Sequence, residues 1–212
     1  MTNEEHTVKR IPGLKISLID YMGSDHSIED DGYTHLGRWV LKQSDIIQLL
    51  LLSNILEPFY NSSDISIEFR APIFVRDEIQ TYLGTVKGGL KIERPNSFDF
   101  SSLNKIFYIP SNNYETDYRL TDLYLKTYYT YLYMLESGID KKIAFSILPQ
   151  STYVTFYANG SLLEWVTLYK ELKELKKDNI YKDVANIIYK IVLDLFPESW
   201  VALVEHEGAL YF

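Results

Sequence analysis

Ile65-Ser66-Ile67-Glu68-Phe69-Arg70-Ala71-Pro72-Ile73-Phe74-Val75 carries two structural periods back to back. Ile65, Ile67 and Phe69 alternate with polar residues, which is the pattern of a half-buried strand. Pro72 then suits the first turn of a helix, because its fixed φ is already helical and its missing N–H has no partner to lose there. The helix is expected to run to about Leu83 and to stop at Gly84. A strand feeding directly into a helix makes the first half of the chain a mixture of the two element types.

The flanks extend that mixture on one side and end it on the other. Lys15 to Asp20 alternates and reads as a strand, and Tyr21-Met22-Gly23-Ser24-Asp25 turns the chain. Glu29-Asp30-Asp31 with Gly32 reads as a solvated loop. Ser44-Asp45 caps an apolar helix over Ile46 to Leu56, which Pro58 ends. Gly84, Gly88 and Gly89 mark a loop or hairpin, and Ile106 to Ile109 is a short apolar strand. Beyond it the spacing is helical: Leu120, Leu123, Tyr124, Thr127, Tyr128, Tyr131 and Leu135 recur at threes and fours up to Ser137-Gly138. Asp140 caps a short helix to Leu148, Ser161 and Glu164 form a capping box, and Ile180, Val184, Ile187, Ile188, Ile191 and Leu195 line a further helix. Strands and helices followed by helices alone make the class α+β. The expected organisation is a polar, mobile N-terminal arm over residues 1–13 and a single domain over 14–212, with a small, mostly antiparallel sheet.

Composition narrows the chemistry. The 212 residues are 46% hydrophobic and 24% charged, enough for a substantial core and unlike a disordered chain. There is no cysteine, which excludes disulfides, thiolate nucleophiles and cysteine-based zinc sites. The formal net charge of −8 argues against a nucleic-acid partner. The longest apolar run, Ile46 to Leu56, is too short to span a bilayer, and no signal peptide is visible, so the expected location is the cytoplasm.

Several local patterns have two readings. The chain holds 18 tyrosines, many between Tyr108 and Tyr133, which suit a core or interface and also a base-stacking platform. Gly84, Gly88 and Gly89 with Lys87 and Lys91 suit a tight hairpin or a phosphate cradle built from backbone amides. Asn159-Gly160-Ser161 suits a helix cap or an anion site. His6, His26, His35 and His206 show no metal-ligand spacing, so no metal is expected. His26 follows Asp25, as a loop hydrogen bond or an acid–base pair. His206 reads as a solvated tip, and Lys170 to Lys177 as a solvated helix face.

Taken in order, short segments across residues 15–200 resemble the flavin-dependent thymidylate synthases. Tyr21-Met22-Gly23-Ser24-Asp25 is similar to that family's M-G-[ND]-D element, and Glu57-Pro58-Phe59 to the end of its H-x-x-x-P-F element. Ala71 to Val75 resembles the helix start before its R-H-R-x-x-S signature. Phe107 to Ser111 follows in order. Tyr131-Leu132 with Glu136-Ser137-Gly138, Leu148-Pro149 with Tyr153, and Asn159-Gly160-Ser161-Leu162 resemble its Y-x-x-L-x-x-x-G, L-P-x-x-x-Y and N-x-R-S-L segments. The resemblance implies the family fold, a tetramer with active sites between subunits, and reductive methylation of deoxyuridylate using FAD and methylenetetrahydrofolate.

The charged letters of those motifs are absent. The R-H-R triplet falls near Thr81, Tyr82 and Leu83, the histidine before P-F corresponds to Ile55, an expected arginine falls on Thr155, and Gly160 stands in place of the arginine of N-x-R-S. No arginine follows Arg119. Each charged hydrogen bond to a phosphate is worth about 1.5–3 kcal/mol, so losing most of them removes much of the affinity for a nucleotide. No catalytic residue is therefore assigned, and Asn159 is the remaining cofactor-binding candidate, with FAD the implied cofactor. The expectation is a degenerate thymidylate synthase-like protein of deoxynucleotide metabolism, serving as a self-associating scaffold or as partner to an intact paralogous subunit. The alternative is an active flavin-dependent enzyme methylating dUMP or a related nucleotide.

Overall fold

Alternation along β3 (Asp64–Pro72) sends Ile65, Ile67, Phe69 and Ala71 into the core and leaves Asp64, Ser66 and Glu68 half-exposed on the opposite face. The computed structural model describes residues 5–8, 11–36, 45–88, 100–110, 114–175 and 179–206. Within them β1 (Glu5–Val8), β2 (Ile11–Met22), β3, β4 (Thr85–Gly88) and β5 (Tyr153–Gly160) form one antiparallel sheet in the order β1-β2-β3-β5-β4. The α+β class and the mostly antiparallel sheet expected from the sequence are present.

The helices are α1 (Asp25–Leu36), α2 (Ile46–Leu52), α3 (Glu57–Asn61), α4 (Ile73–Tyr82) and α5 (Phe100–Ile106), then α6 (Tyr114–Glu136), α7 (Lys141–Phe145), α8 (Leu162–Glu174), α9 (Asn179–Leu195) and α10 (Pro197–Glu205). α4 and α8 lie against β3 and β5, and α9 against β2. The core between them holds Phe69 stacked on Phe156 and Trp165, with ring centroids 5.2 and 6.1 Å away. The Trp165 indole N–H reaches the carbonyls of Ile65 and Gly160, so this large ring is buried without an orphaned donor. A second, smaller cluster joins α5, α6 and α7 around Phe107, Tyr124, Tyr128 and Tyr131.

Several expectations are corrected by packing. Part of the 1–13 arm is strand: β1 pairs with β2, and Ile11 and Gly13 are buried. Gly13 makes this possible, because a Cβ there would lie 2.4 Å from the Tyr153 ring. Glu29-Asp30-Asp31 lies inside α1 rather than in a loop, and Gly32 lets α1 approach Ile46 and Leu50 of α2. The helix from Ile46 ends at Leu52, where Asn54 at φ 52° turns the chain, and Pro58 opens α3 instead of ending α2. Residues 85–88 form a strand paired with β5, and Gly89 lies outside the described residues. The strand expected over Ile106 to Ile109 is the end of α5 followed by a single bridge, Phe107 to Thr152.

The Gly23-Ser24-Asp25 turn is a packing device. Gly23 sits at φ +97°, and a Cβ on it would meet the Ser62 carbonyl at 2.2 Å. The Asp25 carboxylate accepts from the backbone N–H groups of Glu198 and Ser199 at 2.8 and 2.9 Å, capping α10 from across the chain. Asp25 is thereby committed, and His26 turns instead toward Glu29 and Asp30 within α1, at 3.6 and 3.5 Å.

Candidate functional site

The end of β5 and the start of α8 gather the sequence positions singled out for ligand binding. Asn159 is half-buried on the polar face of the sheet, opposite Ser66 on β3 and Thr85 on β4. Its amide oxygen accepts from Ser66 Oγ at 2.9 Å, and its Nδ2 donates to Asp64 Oδ2 at 3.3 Å. The side chain is thus part of a cross-strand polar ladder. One step along the same face, the Tyr157 hydroxyl bonds the Glu68 carboxylate, which holds its phenol above the usual range.

Gly160 points the other way. A Cβ built on it would lie 2.9 Å from Leu83 Cδ2 and 3.2 Å from Glu164 Oε2. Leu83, at the C-cap of α4, is buried, so two positions that fall on arginine-bearing motifs of the family meet in one contact.

The N-terminus of α8 is also occupied. Helix N-termini attract anions because their first N–H groups lack partners. Here Ser63 Oγ accepts from Leu162 N at 2.8 Å and Ser161 Oγ from Glu164 N at 3.3 Å. Glu164 Oε2 accepts from the Ser161 backbone N–H at 2.8 Å and from the Ser161 hydroxyl at 2.9 Å. The capping box read from the sequence therefore forms, and the anion at this helix start is the protein's own carboxylate.

Two of the three described arginines, Arg70 and Arg119, have other engagements. Buried Arg70 donates to the carbonyls of Gly13 and Lys105 at 2.8 and 2.6 Å and lies over the Tyr153 ring. Arg119 pairs with Glu115 within α6, whereas Arg76 only approaches Asp77 at 3.8 Å and its buried Nε has no hydrogen-bond partner. Arg10, Arg38 and Arg94 lie outside the described residues, as does Lys91. Thr155 stands opposite Arg70 in the β3–β5 ladder, Thr81 donates to the Asp77 carbonyl on α4, Tyr82 packs on the core, and so does Ile55. His206 is half-buried and its carbonyl accepts from Lys170. Among the described residues no group of three or more His, Asp or Glu is arranged to hold a metal ion, and no helix is long and apolar enough to cross a membrane.

The family model described as thymidylate synthase complementing protein matches residues 91–198, a span that includes α6, β5 and the capping box of α8. The chain belongs to this family. Solved structures agree on the fold. A UMP/dUMP methylase, PolB from Streptomyces cacaoi, bound with 5-Br dUMP, superposes with a TM-score of 0.68 at 18% identity over 89% of this chain and 94% of that one. The same methylase bound with 5-Br UMP gives 0.68 at 16% identity, over 91% and 94%. At such identities the likeness is one of fold. No curated protein matches the sequence.

Members of the flavin-dependent thymidylate synthase family use FAD, whose diphosphate needs cations or free N–H groups. The corner formed by Gly160, Leu83 and α8 does not fit that group. A side chain at position 160 would have to displace the Leu83 methyl and the Glu164 carboxylate, and the helix start is already capped by that carboxylate.

Proposed function

We propose that this chain is a degenerate thymidylate synthase-like protein of deoxynucleotide metabolism that lacks independent catalysis and works as an oligomeric scaffold or as a subunit beside an intact paralogue. The observation that carries the reading is the Gly160–Leu83–Glu164 contact. It fills, with core packing and a negative charge, the corner where the sequence motifs call for arginines. A phosphate brought there would meet Glu164 with like charge and would displace a satisfied cap. The Asn159 ladder supports the same reading, since its amide already has protein partners.

A second reading has one observation in its favour. The fold agrees over 94% of the chain of a UMP/dUMP methylase. Under that reading the chain is itself an active enzyme that methylates dUMP or a related nucleotide with FAD and methylenetetrahydrofolate, its phosphate contacts supplied from a neighbouring subunit.

Growth of a thymidine-requiring strain separates the two. Expression of this chain alone is expected to give no rescue, and co-expression with an intact family member is expected to give rescue that depends on their physical association. Rescue by this chain alone would overturn the proposal in favour of the second reading.

A further inference from the structure

The polar face of the sheet is open at one end and covered at the other. Ile65, Ile67 and Phe69 of β3 enter the core, and Ser66, Glu68 and Arg70 take the opposite side, where Arg70 lies over the Tyr153 ring. On β5 Tyr157 is exposed on this side, whereas Tyr153 is buried. Cover reaches Arg70 from α5, which lies against β2.

α5 belongs to a unit with a core of its own. Leu103 and Ile106 pack with Tyr124, Tyr128 and Tyr131 of α6 and with Ala144 of α7. The Phe107 ring lies 4.8 Å from that of Tyr124 and 6.3 Å from that of Tyr128. Phe145, half-buried, touches both this cluster and the main core.

The seam between unit and sheet is held largely by polar contacts. Arg70 donates to the Gly13 carbonyl on β2 at 2.8 Å and to the Lys105 carbonyl in the last turn of α5 at 2.6 Å. The guanidinium thereby meets the negative end of that helix and one of the carbonyls a helix end leaves open. Tyr108 N–H donates to the Ser151 carbonyl at 2.8 Å, and Phe107 bridges to Thr152. The carbonyls of Thr152 and Gln150 accept from Ile73 and Phe74 at the start of α4. Leu148 packs in the unit and Gln150 is fixed to α4, so the chain passes from one body to the other at Pro149. Closing this seam leaves polar atoms unsatisfied. The Tyr153 hydroxyl and Ser151 Oγ are buried with no partner, and burial pushes the Tyr153 phenol up. Opening returns such groups to water while the unit keeps its own apolar core.

We infer that α5, α6 and α7 undock from the sheet as one body, pivoting at Pro149, with the Arg70–Lys105 hydrogen bond as the latch. Undocking extends the open polar face, adding the Arg70 guanidinium and the Tyr153 phenol to Glu68, Tyr157, Ser66 and Asn159. Tyr153 and Gly160 stand at opposite ends of β5, so the latch works whether or not the Gly160 corner is closed.

Native-state hydrogen exchange on the full chain, followed through a urea series below the unfolding transition, tests the latch. The Tyr108 amide reports undocking, the α6 amides around Tyr128 report unfolding of the unit, and the β5 amides report global unfolding. Tyr108 is expected to exchange faster than both other sets by about tenfold or more, with a urea slope above zero and below that of β5. Arg70→Met is expected to speed Tyr108 exchange by about tenfold, and Tyr153→Phe to slow it by about threefold. Exchange of Tyr108 at the β5 rate and slope, a slope of zero, or α6 amides exchanging together with Tyr108 would overturn the inference. So would an unchanged Tyr108 rate in Arg70→Met. Tyr153→Phe removes a single hydroxyl, so it carries the test if Arg70→Met fails to fold, and faster Tyr108 exchange in it would also overturn the inference. None of these results bears on flavin binding or growth rescue, so failure here is distinguishable from failure of the proposed function.

Discussion

Replacing Gly160 with alanine tests whether the closed corner is a real packing contact. Its φ is not left-handed, so the backbone accepts an L residue, and stiffening the unfolded chain favours alanine by about 0.4–1 kcal/mol. Against this, the new Cβ would sit 2.9 Å from Leu83 Cδ2 and 3.2 Å from the Glu164 carboxylate that caps α8. Overpacking a buried site costs about 1–3 kcal/mol. The expected net loss is about 1 kcal/mol, or a fall in Tm of roughly 2–4 °C for a chain of this size. Leu83→Ala alone should cost about 2–3 kcal/mol as a buried truncation. In that background the alanine at 160 has somewhere to go, and its cost should fall to about zero. Urea unfolding of the two single variants and the double variant gives the coupling directly, expected at about 1 kcal/mol. Equal costs in both backgrounds, or a stabilising Gly160→Ala in the wild-type protein, would refute the contact and with it the claim that the corner is closed.

Other outcomes follow from single residues. Burial pushes the Tyr153 phenol up, Tyr108 adds to the rise and Arg70 opposes it, while the hydroxyl has no hydrogen-bond partner. Because its folded pKa is raised, the stability it contributes is full below the free tyrosine value of about 10 and is lost as pH rises above it. Tyr153→Phe should therefore be neutral or stabilising by up to about 1 kcal/mol at neutral pH and should flatten the alkaline fall in Tm. Asp25→Ala should cost about 1 kcal/mol by uncapping α10, seen as faster amide exchange at Glu198 and Ser199. Arg70→Met should cost about 2–3 kcal/mol in urea unfolding, because the buried carbonyl of Gly13 and that of Lys105 lose their donor. A loss under about 0.5 kcal/mol would show that water replaces the guanidinium.

Residues with a local physical code were legible in sequence. The alternation of Ile65, Ile67 and Phe69 gave β3, Pro72 gave the start of α4, and Ser161 with Glu164 gave the cap of α8, because periodicity and capping act within a few residues. What depends on distant partners was not legible. β5 is the exception, since Val154, Phe156 and Ala158 alternate with Thr155, Tyr157 and Asn159 and carry a local strand signal. The burial of Gly13 depends on Tyr153, and the capping of α10 on Asp25, contacts that no local pattern announces. At the candidate site, the loss of arginines at Leu83 and Gly160 could be read from the letters. That the two positions touch each other, and that Glu164 supplies the anion at the helix start, required the fold.

The measurement that bears most directly on the degenerate-site reading is the visible absorption spectrum of the purified protein, followed through a titration with flavin adenine dinucleotide. The account predicts colourless protein as isolated and no perturbation of the flavin bands at any protein excess. A yellow protein, or a saturable shift of those bands on titration, would contradict it, because the cofactor would then be held by residues other than the closed corner at Gly160.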